Sequence, residues 1–222
     1  MSDNNENIDN LKTKDTSKNT NIKKDAIATK NLLIDFFKNP ISTINKIYNF
    51  NDNKFFNYSI ILLITWILII FINYIFSNNI FNLLSINSIL SNSASFLLGI
   101  AKNIIQPIAI VLVLTTILFI MCKNEKKSFK SIFSIVTFAS IPKIIASIAF
   151  ILTIISNNMT LYSILSSFSS FCYMISIILY YFVIKTTFNY ENDLKLFKSF
   201  TVIIGIFYIA KFILSLLGIT IY

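Results

Sequence analysis

Residues 57–76 run twenty positions without a charged side chain, and eight isoleucines, three leucines and two phenylalanines fill most of them. A helix of about 20 apolar residues crosses a hydrocarbon core of ~30 Å. Inside that core every backbone N–H and C=O must be satisfied within the segment, so a run of this kind folds as a helix. These residues contribute roughly −4 to −8 kcal/mol to insertion before the polar positions are counted. A soluble domain has no need of such a run, and this chain has several.

Residues 161–184 repeat the pattern, 102–122 do so after Lys102 at their start, and 131–155 and 200–221 do so around one lysine each, Lys143 and Lys211. The predicted spans are therefore 57–76, 102–122, 131–155, 161–184 and 200–221. The fold class expected is an all-α polytopic membrane protein, a bundle of five transmembrane helices with a cytosolic amphipathic N-terminal region. Residues 77–100 hold Asn78, Asn79, Asn82, Asn87 and Asn92 among apolar positions. They predict an extramembrane loop with a short interfacial helix.

Ahead of the spans the chain divides in two. Residues 1–30 are mostly Asn, Asp, Lys, Thr and Ser, too poor in apolar side chains to offset the entropy of ordering, and predict a disordered cytosolic tail. No apolar core of a signal peptide lies there. Over 31–55, Leu32, Leu33, Phe36 and Phe37 cluster before Asn39-Pro40, which fits a helix cap and first helical position. After it Ile41, Ile44, Ile47 and Tyr48 share one face. The spacing predicts amphipathic helices at the membrane surface or against the protein's own cytosolic side. Residues 56–222 form the transmembrane domain.

The net charge of +9 comes from nineteen lysines and no arginine. Six lysines of the leader face five carboxylates, so it is not the one-signed arm that phosphate backbones attract, and nucleic acid is excluded as a partner. The lysines instead set topology. Residues 1–56 carry nine, 123–130 four and 185–198 three, all on one side if there are five spans, against Lys102 on the other. The positive-inside rule then places the N-terminus in the cytosol and the C-terminus outside. With two isolated cysteines and no histidine, no metal site, disulfide framework or cofactor is expected.

The third span carries the chemistry that hydrocarbon disfavours. Pro142 removes an N–H and crowds the carbonyl of Phe138, which predicts a kink. Beside it Lys143 costs roughly 2.5–3.5 kcal/mol near the bilayer centre. Thr137, Ser140, Lys143 and Ser147 recur at helical spacing, as do Ser166, Ser169, Tyr173, Ser176 and Tyr180 in span four. Between residues 57 and 184 the one carboxylate is Glu125, in a loop. Neither Lys143 nor Lys211 thus has an intramembrane acid. The candidate contact site is Ser140, Pro142, Lys143, Ser147 and Lys211. No catalytic residue is assigned, because histidine, metal clusters and intramembrane acids are missing from the sequence.

Ser128-Phe129-Lys130 leading into Phe138-Ala139-Ser140-Ile141-Pro142 resembles the signature stretch of the Yip domain family, the Ypt/Rab-interacting membrane proteins. Residues 37–44, Phe-Lys-Asn-Pro-Ile-Ser-Thr-Ile, are similar to the start of its bacterial branch. The resemblance covers residues 32–220. It implies five spans, a cytosolic N-terminus and, in eukaryotic members, small-GTPase binding and association with sister proteins. The Asp-Leu-Tyr-Gly-Pro motif of those members does not occur in this sequence, which argues against GTPase recruitment. The expectation is a non-enzymatic component of a bacterial plasma membrane whose partners are the lipid bilayer and other membrane proteins or a second copy. The alternative is a small transporter or lipid-handling protein that holds an anionic group at Lys143 and Lys211.

Overall fold

The computed structural model describes residues 30–49, 53–77, 86–122, 128–156, 159–188 and 193–216, with the side chains at 86–97, 156, 193, 211 and 214–216 excepted. The leader up to residue 29, the 123–127 loop, the turn at Asn157-Asn158 and the side chain of Lys211 lie outside the described residues. Every described element is helical: α1 over 30–38, α2 Pro40–Asn49, α3 Asn53–Ser77, α4 Ile86–Met121, α5 Phe129–Ala139, α6 Ile141–Ser156, α7 Met159–Phe188 and α8 Asp193–Leu216.

The chain forms two compact units, residues 1–43 and 44–222. In the first, Asn39 ends α1 and caps α2, its side-chain oxygen accepting from the Ser42 N–H at 3.0 Å with Pro40 in the first helical position. In the second, the apolar face of α2 from Ile44 on is filled by the protein itself. Ile44, Ile47 and Tyr48 are buried there, and the Tyr48 hydroxyl donates to the Thr187 carbonyl at 2.9 Å.

Four helical stretches are long and apolar enough to cross a membrane: Asn53–Ser77, Leu98–Met121, Phe129–Ile155 and Met159–Phe188. They match the first four predicted spans to within a few residues. The region of the fifth is helical as α8, beginning seven residues earlier than 200. The asparagine-rich stretch departs from expectation. From Ile86 it is helical without interruption into span two, so the interfacial helix predicted there is the first part of α4 and not a separate element. At 1.5 Å per residue its 36 residues reach about 54 Å, well beyond a ~30 Å core. Asparagine and serine lower the hydropathy of 86–97, yet nothing in that stretch breaks a helix.

Helix α3 sorts its faces by polarity, not by apolarity. On α3 the buried positions are Tyr58, Ser59, Leu62, Trp66, Ile70 and Asn73, while Ile64 and Leu68 point outward and are more than half exposed. Most polar groups of α3 turn inward, away from lipid, and the exposed Thr65 hydroxyl is instead returned to the Ile61 carbonyl at 2.8 Å. Helix α5 is enclosed from Ser131 onward. Residues 131–144 are buried without exception, packed among α3, α4 and α7. Helix α6 returns along α7 as an antiparallel pair and also touches α3. Gly99 on α4 lies directly against the end of the Tyr74 side chain of α3, which would have to shift to admit a Cβ there.

Candidate intramembrane site

The third span does break, and the break falls at Ser140, two residues before the proline. The Ser140 N–H turns back to the Thr137 carbonyl at 3.1 Å, tightening the last turn of α5. Its hydroxyl then donates to the Val136 carbonyl at 3.0 Å, replacing the backbone donor that the carbonyl would have had. Pro142 follows in the first turn of α6, where its missing N–H costs least. Proline and serine therefore divide the work, one unable to continue the helix and the other satisfying what the interruption leaves.

The proton of Ser140 is committed to Val136, so in the 2.8 Å contact with Tyr180 the phenol is the donor. Ser140 is fully buried and Tyr180 is 5% exposed. The ammonium of Lys143, on a side chain 8% exposed, lies 5.1 Å over the centroid of the same tyrosine ring. That is cation–π distance, and such a contact is worth about 2 kcal/mol when desolvated. Among the described side chains of residues 44–222 there is no carboxylate to neutralise it.

A second cluster holds the next turn. The Ser147 hydroxyl donates to the Lys143 carbonyl at 2.9 Å and accepts from the Trp66 indole N–H at 3.2 Å. Asn73 donates to the Ser147 carbonyl at 2.8 Å, and its side-chain oxygen is buried without a partner. Trp66 and Asn73 thereby lock α3 onto α6 just beyond the lysine. On the opposite side Ser176 is fully buried and its hydroxyl also has no partner. Ser169 meets the Ala146 carbonyl and Tyr180 meets Ser140, so the antiparallel register sets Ser176 opposite the 140–143 turn.

Of the five predicted site residues, Ser140, Pro142 and Lys143 form one buried turn, and Ser147 joins them through the Lys143 carbonyl. Three partners were not in the predicted set: Tyr180, Trp66 and Asn73. Tyr180 was visible as a member of the hydroxyl-bearing face of span four. Trp66 and Asn73 stand seven residues apart, two helical turns, on one face of α3, and the chain has one tryptophan. That spacing was the available signal. Chemically the arrangement offers a caged cation, a phenol and an unsatisfied hydroxyl. Among the described residues no cluster of His, Cys, Asp and Glu could hold a metal ion.

A family model described as the Yip1 domain matches residues 34–215. No curated protein and no solved structure matches the chain.

Proposed function

We propose, from the premise that this chain belongs to the Yip1 domain family, that it is a non-enzymatic binding component of the membrane it spans. Its contact site is the kinked third span, with Ser140, Pro142, Lys143 and Ser147, and with Lys211 of the last helix as a further cation. The observation that carries this reading is the ammonium of Lys143, buried against Tyr180 with no carboxylate among the described side chains of 44–222. A buried charge persists when paired or when it has a role. Here the missing anion belongs to what the protein binds, which is a second membrane protein carrying an intramembrane acid.

A second reading rests on where the lysine lies. It is enclosed within the bundle and not on a lipid-facing surface, which suits a small anionic group of a lipid or solute better than a broad helix–helix contact. Extraction in mild detergent separates the two. Lys143→Met is expected to lose a bound protein in the first case and a bound anionic lipid or solute in the second. Identical co-purifying material in the native and substituted proteins sinks both.

The same proposal places five spans in a bacterial plasma membrane, with the N-terminus in the cytosol. Support comes from sixteen lysines against one on the two sides, and from the helical state of 193–216. A reporter that works only in the cytosol, fused after Tyr222, is expected to be silent, and its activity would overturn the five-span topology. Without the family's Asp-Leu-Tyr-Gly-Pro motif, no GTPase partner is proposed.

A further inference from the structure

One end of the bundle gathers lysines that have no part in the Lys143 site. The end of α2 is tied to the end of α7 by the Thr186 hydroxyl, 2.6 Å from the Asn45 side-chain oxygen, and by the Tyr48–Thr187 bond. Lys46 and Lys185 each stand next in sequence to one of these bonded residues, which brings both to this end of the bundle. The start of α5 is tied to the start of α3, with the Lys130 ammonium 3.0 Å from the Asn53 side-chain oxygen and 5.6 Å over the Phe56 ring. Helix α8 joins the same end through buried Leu196 and through Phe200, whose ring meets Tyr181 edge-on at 5.5 Å.

Lys46, Lys130, Lys185 and Lys198 are all exposed on this rim. Apolar side chains stand among them, with Leu194 63% and Phe197 62% exposed. By sequence, residues 44–54, 122–130 and 185–198 together hold nine lysines and four carboxylates, an excess of five positive charges. Ammonium groups interleaved with apolar side chains at the end of a transmembrane bundle fit one chemistry, the phosphate level of a leaflet whose headgroups carry net negative charge.

We infer that this rim is a binding surface for anionic phospholipid headgroups, which it selects from its own leaflet over zwitterionic ones. The selection is electrostatic, and each lysine near the surface favours an anionic neighbour by about fivefold before screening. It does not depend on the Lys143 reading, because none of the four lysines touches that site.

The test uses the full chain reconstituted in vesicles of equal parts phosphatidylglycerol and phosphatidylcholine, with a spin-labelled trace of either lipid. The protein-restricted fraction is expected to be severalfold larger for labelled phosphatidylglycerol than for phosphatidylcholine, and to fall to equality in molar salt. Substituting Lys46, Lys130, Lys185 and Lys198 together by glutamine should abolish the preference, while arginine at the same four positions keeps it. The salt series on the native chain guards against a substituted protein that inserts in another orientation. Inorganic phosphate added at low concentration should displace nothing, since the surface binds headgroups held in a leaflet. Equal restriction of both labels in the native protein overturns the inference, as does a preference that survives salt.

Discussion

Lys143→Met is expected to raise the melting temperature of the detergent-solubilised protein. In the unfolded helices the ammonium reaches water, whereas in the folded bundle it is 8% exposed against a tyrosine ring. Burial of a lysine at this depth costs roughly 2.5–3.5 kcal/mol on insertion scales. The cation–π contact returns about 2 kcal/mol. Methionine fills nearly the same volume without charge, so its packing penalty is small. The balance is a gain of about 1 kcal/mol, or about 2–4 °C for a chain of this length. Replacement of buried charges by apolar residues of like size has this sign in other proteins. A thermal melt of the two purified proteins measures it.

The sign matters more than the size. A lysine kept for packing would leave a less stable protein when replaced, and the proposed binding role would lose its main support. A lysine kept for what it binds should give the opposite pairing, a stabler protein that no longer retains its ligand. Tyr180→Phe makes the companion measurement. It removes one hydrogen bond to Ser140 and keeps the ring under the ammonium, so stability should fall by roughly 0.6 kcal/mol, the average for such bonds in membranes. Melts that move together, both down, would mark the whole turn as structural.

Four helices long and apolar enough to span were legible in the sequence because a largely uncharged run of the right length has one structural solution in lipid. It showed the kink because Pro142 leaves no other reading. It did not show that the break would fall at Ser140, since that depends on which residue can satisfy the stranded Val136 carbonyl. Nor did it show which partners meet Lys143. Tyr180 and Trp66 reach the third span across 40 and 81 residues of chain, and hydropathy is silent about who faces whom once every face is apolar. The extension of α4 back to Ile86 escaped for a related reason. Polarity alone does not mark a boundary, since asparagine and serine weaken a helix without ending it.

The same blindness gives the last expected result, in which two phenylalanines of equal hydropathy part company. Phe138 lies in α5, fully buried within the enclosed stretch 131–144, while Phe171 on α7 is 58% exposed to the lipid side. In water Phe→Ala loses the transfer energy of the ring as well as leaving a void. In a membrane the transfer part largely vanishes, because lipid tails are as apolar as the core. What remains at Phe138 is the cavity. A void of about 100 Å³ at about 24 cal/mol per Å³ gives a loss of about 2 kcal/mol. At Phe171 lipid chains fill the space and the loss should stay within about 0.5 kcal/mol. Heat or dodecyl sulfate unfolding of Phe138→Ala and Phe171→Ala compares them directly. Equal losses would mean that α5 is not the enclosed helix of the bundle, and that Lys143, which follows it into the same buried stretch, is open to lipid after all.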